Sequence, residues 1–257
     1  MSDWVFLRGL AREIRHWGDF PALFAATVRG ARVTPIDLPG NGRQCDRPSP
    51  TTVATMAAWC RTEVRRRGIP LPCRVFAMSL GAMVAIEWAA GHPDEVAGAV
   101  LVNTSLRPFS PLHHRLRLRN LPALLRMAML GRPGREREAL VLRLTSAAGG
   151  DAGALLDRWT EIATSHPVSR GNALRQLLAA ARYRAPPAAP AVPLLVLAGG
   201  RDALVNPECS RRLAAAWGAS FAEHPMAGHD LPLDDARWVA GQVQSWLGTQ
   251  GDAARDP

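Results

Sequence analysis

Ser79 lies where an apolar strand pattern stops and a helical pattern begins, within residues 75–90 (VFAMSLGAMVAIEWAA). A serine hydroxyl becomes a useful nucleophile only when a neighbouring base takes its proton. It must also be held clear of its own backbone, and a tight strand-to-helix turn does this. Ala77 and Gly81 are small enough to permit such a turn. Considered alone, this Ala-x-Ser-x-Gly motif of residues 77–81 fits a nucleophile and a helix-capping serine equally well.

A carboxylate and an imidazole follow other apolar patterns further along the chain. Asp202 comes directly after a buried strand and a Gly-Gly turn (LLVLAGGRDALVNP), where its carboxylate could orient and stabilise an imidazole. His229 follows the last short strand, in the loop AGHDLPLDD before the final helix. Each residue alone fits a structural role as well as a chemical one. The combination is more informative, because Ser79, Asp202 and His229 each occupy a loop after a separate strand.

Short apolar runs alternate with helical patterns over most of the chain. Strands are predicted at residues 4–7, 32–37, 74–78, 99–103, 194–198 and 220–223. Helices are predicted at residues 15–28, 51–67, 80–90 and 234–247, and another after Asn206-Pro207. Continuous apolar strands that alternate with helices indicate an α/β fold with a mostly parallel, doubly wound sheet covered on both faces.

Residues 105–190 interrupt this alternation, because they contain helical patterns and turns but no convincing strand. We interpret them as a helical lid inserted into a core formed by residues 1–104 and 191–248. A lid there would cover the carboxyl ends of the strands, where open α/β sheets bind ligands. Residues 249–257 are predicted to be a disordered tail.

These features together resemble the α/β-hydrolase superfamily, and the resemblance extends from Trp4 to about Leu247. LRGLAREIRHWGDF is similar to the His-Gly loop of the family, and DLPGNGR to its D-x-P-G-x-G loop. GHPDEVAGAVLVN resembles the stretch after the nucleophile helix, and GGRDALV and AGHDLPLDD resemble the acid and histidine segments. The resemblance implies an α/β-hydrolase fold with a shortened N-terminus and about six strands.

The resemblance also implies a role for each candidate residue. Ser79 would attack an acyl carbon, His229 would take the proton and return it to the leaving group, and Asp202 would hold the imidazole tautomer. The backbone N–H groups of Leu10 and Leu80 would donate hydrogen bonds to the oxyanion.

Two residues depart from the family pattern. Ala77 replaces the usual glycine two residues before the serine, which adds only one methyl group. Arg8 replaces the histidine that usually precedes Gly9 and helps to shape the oxyanion loop. Arg8 could fill that role with its own hydrogen bonds, or the loop could be altered.

The expected reaction is hydrolysis of a carboxylic ester or thioester by a carboxylesterase-like serine hydrolase through an acyl-enzyme intermediate. The expected substrate is a small acyl ester or thioester, and no metal or organic cofactor is needed. Some relatives cleave amides, lactones or carbon–carbon bonds, and others transfer acyl groups. A binding protein of the same fold without enzymatic activity is the alternative from another class.

The net charge of +9 could suggest a nucleic-acid partner, but all 31 basic residues are arginine and none is lysine. Abundant alanine, glycine and proline point to a GC-rich genome, which explains much of the arginine, so we expect no nucleic-acid partner. Nine arginines lie between Arg107 and Arg143. They would suit a substrate tethered to an acidic acyl carrier protein, although codon bias explains them as well.

The four cysteines, Cys45, Cys60, Cys73 and Cys209, have no metal-ligand spacing. Cys60 and Cys73 lie in apolar patterns and are expected to be inert core thiols. No apolar segment reaches the roughly 18 residues of a membrane span, and the first residues do not resemble a signal peptide. The expected location is the cytoplasm.

Overall fold

The computed structural model describes residues 1–120, 122–123, 134–147 and 152–253. Six strands form one sheet in the order β2-β1-β3-β4-β5-β6, and every neighbouring pair is parallel. The strands are β1 (Ser2–Leu7), β2 (Ala31–Ile36), β3 (Cys73–Met78), β4 (Val96–Val102), β5 (Leu194–Gly199) and β6 (Ser220–His224). The predicted fold class is thus confirmed, with six parallel strands and helices on both faces.

The helices connect successive strands and cover the sheet. They are α1 (Phe20–Thr27), α2 (Val53–Arg66), α3 (Leu80–Gly91), α4 (Leu112–Arg115), α5 (Arg135–Thr145), α6 (Ala152–Ser165), α7 (Arg170–Arg182), α8 (Glu208–Trp217), α9 (Leu231–Asp234) and α10 (Ala236–Ala253). Within the described residues, the segment between β4 and β5 contains α4 to α7 and no strand. The two ends of that segment meet at an isolated bridge between Arg107 and Arg184.

Each face of the sheet carries its own hydrophobic cluster, because successive side chains of a strand point to opposite faces. In β1, Val5 and Leu7 join the cluster beneath α2 and α3, whereas Phe6 joins the cluster beneath α1 and α10. On the second face the ring of Phe6 lies 5.0 Å from that of Phe24 and 4.8 Å from that of Phe76. Burial on both faces explains why the inner strands β3, β4 and β5 are nearly continuous apolar runs in the sequence.

The two buried thiols Cys60 and Cys73 belong to the cluster beneath α2 and α3. Burial raises the pKa of both thiols to about 12, so neither forms a thiolate near neutral pH. The expectation that they lie in the core is confirmed. Among the helices in the described ranges, none is long and apolar enough to cross a membrane.

The structure differs from the sequence-based prediction at both ends of the chain. The helix predicted at residues 15–28 is two pieces, a 3₁₀ turn (Ile14–Trp17) and α1, because Gly18 adopts a positive φ of 58° between them. Helix α10 continues to Ala253, whereas the sequence predicts a disordered tail from residue 249. Extending a helix that already exists costs little, because each added residue gains a backbone hydrogen bond without a new nucleation step. Residues 254–257 lie outside the described residues.

Candidate active site

Ser79 occupies the turn between β3 and α3 with a φ of 51° and a ψ of −114°. Such a backbone conformation costs a residue other than glycine about 1–3 kcal/mol, and it persists only where the surrounding structure enforces it. Within the described part of the chain, the Ser79 side chain makes no capping hydrogen bond to α3. Helix capping therefore does not explain this serine, and the strained turn instead holds its hydroxyl clear of the helix.

Small residues around the turn allow the chain after β1 to approach it closely. A Cβ atom at Gly81 would lie 2.6 Å from the carbonyl oxygen of Leu7, so any side chain there would push β1 away. A Cβ atom at Gly9 would lie 3.2 Å from the Cβ atom of Ser79. Ala77 is fully buried within β3, so the methyl group that replaces the usual glycine is accommodated in the core.

Asp202 and His229, 27 residues apart in the chain, form a direct buried hydrogen bond. Nδ1 of His229 lies 2.7 Å from Oδ2 of Asp202, and the two side chains are 8% and 1% exposed. The other carboxylate oxygen of Asp202 accepts the backbone N–H groups of Leu204 at 2.8 Å and Val205 at 2.9 Å. These two bonds fix the carboxylate, so a proton on Nδ1 of His229 is favoured and Nε2 is left as the basic atom.

The charges around His229 favour its protonated form. Burial by itself lowers the pKa of the imidazole, but the charge of Asp202 and its hydrogen bond raise it, as does the charge of Asp230. Arg8 acts in the opposite direction. The net result is a pKa above the ordinary value, which suits a base that must hold a proton transiently.

Two residues that the sequence reasoning missed connect the separate loops. The side chain of Asn103, directly after β4, donates to the carbonyl oxygen of His229 at 2.7 Å and accepts the N–H of Gly199 at 2.8 Å. The hydroxyl of the next residue, Thr104, donates to the carbonyl oxygen of Ser79 at 3.1 Å. These consecutive residues therefore link the Ser79 turn, the end of β5 before Asp202, and the loop of His229. The available signal was a polar Asn-Thr pair directly after an apolar strand.

The N–H groups of Leu10 and Leu80 have no hydrogen-bond acceptor among the described residues. Leu80 is the first residue of α3, where backbone N–H groups have no partner within the helix. The loop that carries Leu10 is held by α7, because the amide oxygen of Gln176 accepts the N–H of Ala11 at 2.8 Å. The arrangement leaves two amide donors beside the serine turn.

Among the described residues, the side chain of Arg8 makes no hydrogen bond to its own loop and instead reaches the loop of His229. Its Nη1 and Nη2 atoms lie 3.1 and 2.6 Å from the two carboxylate oxygens of Asp230. Nη1 also lies 3.3 Å from the sulfur of Met78, and the guanidinium carbon lies 4.6 Å from the centre of the Trp17 ring. The side chains of Arg8 and Asp230 are each 5% exposed. The replacement of the usual histidine thus creates a buried ion pair.

A cleft of about 290 Å³ has Arg8 and Asp230 in its wall, together with Trp17 and Trp159. None of the three candidate residues Ser79, Asp202 and His229 lines it. This cleft therefore lies beside the candidate site and not over it.

Comparison with known proteins identifies the family of the chain. The sequence model of the alpha/beta hydrolase family matches residues 4–242, and the chain belongs to that family. The chain is 32% identical over 195 residues to "Putative carbamate hydrolase RutD" of Klebsiella pneumoniae (strain 342), covering 74% of this chain and 70% of that protein. It is 39% identical over 74 residues to "Pimeloyl-[acyl-carrier protein] methyl ester esterase" of Chromobacterium violaceum, covering only 28% of this chain and 26% of that protein.

Solved structures share the fold over nearly the full length. A thermophilic esterase from Thermogutta terrifontis, in a malate-bound form, has a TM-score of 0.75 at 22% identity, covering 97% of this chain and 90% of that one. These structures show the shared fold, and the family and the sequence relatives support hydrolase activity for the protein.

Proposed function

We propose that the protein is a serine hydrolase of carboxylic esters or thioesters in which Ser79, His229 and Asp202 form the catalytic triad. The observation that carries the proposal is the buried hydrogen bond of 2.7 Å between Nδ1 of His229 and Asp202. It supplies a base of fixed tautomer at the same edge of the sheet as the strained turn of Ser79. Membership of the alpha/beta hydrolase family supports the same chemistry.

In the proposed reaction, the hydroxyl oxygen of Ser79 attacks the acyl carbon while Nε2 of His229 takes its proton. The carbonyl electrons move to oxygen, and the N–H groups of Leu10 and Leu80 donate hydrogen bonds to the oxyanion. Collapse of the intermediate expels the alcohol or thiol, which takes the proton from His229. Water then attacks the acyl carbon while His229 takes its proton. The bond to the Ser79 oxygen breaks, His229 returns the proton to that oxygen, and the acid is released.

Asp202 acts throughout by orientation and charge. Its carboxylate accepts a hydrogen bond from the Nδ1–H group of His229, and its negative charge stabilises the imidazolium that forms in each half-reaction. The two backbone N–H groups that bind its other oxygen keep the carboxylate in one orientation. Loss of the nucleophile or the base of such a triad typically reduces kcat by a factor of about 10⁶.

A fluorophosphonate probe, which labels activated serines, tests the nucleophile directly. We expect the wild-type protein to be labelled and Ser79→Ala to remain unlabelled. Ser210→Ala, which removes a buried hydroxyl within α8, is the control and should label normally. Equal labelling of Ser79→Ala and wild type would refute the assignment of the nucleophile. p-Nitrophenyl esters of graded chain length then report the acyl preference, and His229→Ala should lose that activity.

A second candidate is hydrolysis of an acyl ester carried by an acidic carrier protein. Two observations favour it: the partial similarity to a pimeloyl-[acyl-carrier protein] methyl ester esterase, and exposed arginines between β4 and β5. Reversal of Arg119 and Arg143 to glutamate should slow turnover of a carrier-bound ester and spare p-nitrophenyl esters. Reversal of Arg29 and Arg237, exposed elsewhere, is the control for net charge. Equal loss on both substrates would count against a carrier.

A further inference from the structure

The guanidinium of Arg8 contacts two other segments of the proposed active site. Arg8 itself is the first residue of the loop after β1, which presents the proposed oxyanion N–H. Its Nη1 atom lies 3.3 Å from the sulfur of Met78, the residue immediately before Ser79. Its two terminal nitrogens hold the carboxylate of Asp230, the residue immediately after His229. One side chain therefore joins all three segments.

The Arg8–Asp230 pair has the geometry of a fixed connection and not of a surface ion pair. Each terminal nitrogen of Arg8 faces a different oxygen of Asp230, which restrains the angle between the groups as well as the distance. The ring of Trp17 lies against the guanidinium. Burying two charges costs solvation energy, and an apolar pair of similar volume often stabilises a protein at least as well. Stability alone therefore gives little reason for an ion pair here.

Resting on the proposed function, we propose that Arg8 and Asp230 are positioning residues that fix the histidine loop against the nucleophile and oxyanion loops and balance the charge beside His229. The loop is tied at a further point, because the N–H of Asp230 donates to the carbonyl oxygen of Thr145 at 2.6 Å, at the end of α5. Misplacement of reacting groups by about 1 Å can cost about 100-fold in rate, so a connection of this kind affects turnover directly.

The two partners act on the imidazole with opposite signs. Asp230 raises the pKa of His229 and Arg8 lowers it, so each charge offsets part of the effect of the other. Removal of one partner leaves the charge of the other uncompensated. Among the described residues, the charges that act on the imidazole are those of Asp202, Asp230 and Arg8. Arg117 interacts electrostatically with Asp202, and Asp234 accepts the N–H of Gly228 in the same loop as His229.

Opposite shifts in the titration of His229 provide the first test, which needs no substrate. The imidazole is followed by NMR in ¹³C-histidine-labelled protein, and its signal is assigned by its absence from His229→Gln. We expect Arg8→Met to raise the pKa of His229, Asp230→Asn to lower it, and the double variant to return towards wild type. Shifts in the same direction, or no shift in Asp230→Asn, would overturn the proposed charge balance even if Arg8→Met does not fold.

Turnover of p-nitrophenyl butyrate provides the second test. Arg8→Lys keeps the positive charge but cannot hold both oxygens of Asp230, so kcat should fall about tenfold or more while KM changes little. Arg61→Met is the matched control, because it breaks another largely buried ion pair, that with Glu95, away from the site. This control should lower the melting temperature without changing kcat or the titration of His229.

The two kinds of failure are distinguishable. If the fluorophosphonate probe does not label Ser79 in wild type, the proposed function fails, and the NMR titration still decides whether Arg8 and Asp230 balance the charge at His229. If wild type is labelled and turns over the ester but Arg8→Lys keeps full kcat, the proposed function stands and the positioning role is refuted. The same holds if Arg61→Met reduces kcat as much as Arg8→Lys does.

Discussion

Replacement of Asp202 by asparagine tests the proposed triad at the atom where the structure makes the clearest prediction. The two side chains have nearly the same shape, so the fold should be preserved. One carboxylate oxygen already accepts the N–H groups of Leu204 and Val205. The single oxygen of the new amide must remain at that position to satisfy them. Its NH₂ group then faces Nδ1 of His229.

An amide NH₂ group donates hydrogen bonds, so Nδ1 of His229 must become the acceptor and the ring proton must move to Nε2. Nε2 can then no longer accept the proton of Ser79. Turning the amide around would place NH₂ against two backbone donors, and each buried group left without a partner costs about 1–3 kcal/mol. The unproductive tautomer is therefore strongly favoured, and the expected loss in kcat is about 10⁴-fold.

Initial rates on p-nitrophenyl butyrate at saturating concentration measure kcat, and circular dichroism checks the fold. Asp37→Asn is the matched control, because Asp37 is also buried and also accepts two backbone N–H groups, from Ile14 at 2.9 Å and Arg43 at 3.2 Å. It should change stability and leave kcat within about tenfold of wild type. If Asp202→Asn keeps kcat within about tenfold of wild type, the assigned role of Asp202 is refuted.

Three further predictions concern pH and stability. kcat/KM should rise with pH as His229 loses its proton, with an apparent pKa above the ordinary 6.5. A midpoint below 6.5 would contradict the conclusion that Asp202 and Asp230 raise the pKa of His229. Hydrogen bonds from Arg61 and Trp88 hold the pKa of Glu95 at about 2, against an ordinary 4.5. The ionised carboxylate therefore contributes about 2–3 kcal/mol to the free energy of unfolding. This contribution should be present above pH 4.5 and lost as the pH falls towards 2. Urea unfolding across this range should show that loss in wild type and not in Glu95→Gln. Asn103→Ala should lower the free energy of unfolding by about 3 kcal/mol or more, because buried backbone groups of the histidine loop and β5 lose their hydrogen-bond partners. It should also reduce kcat. An unchanged urea unfolding curve would contradict this prediction.

The local parts of the fold could be predicted from the sequence because local rules control them. Strands buried on both faces must be continuously apolar, and β3 and β5 show this in every residue but Arg74. Small residues around Ser79 indicated the sharp turn, and Gly81 is indeed pressed against β1. Gly18 broke the helix predicted at residues 15–28, because a single positive φ outweighed a helical pattern on both sides.

Contacts between distant loops could not be predicted in this way. The sheet order places the ends of β3, β4 and β5 side by side. Asn103 lies between the histidine loop and the end of β5 because of this order, which the local sequence does not reveal. Arg8 and Asp230 are 222 residues apart, and neither neighbouring sequence indicates the other. The sequence by itself determined which residues could do chemistry and which strands they follow, because burial and turn geometry leave periodic patterns. The tertiary structure alone decided which charges and hydrogen bonds surround them, since those depend on distances that no local pattern records.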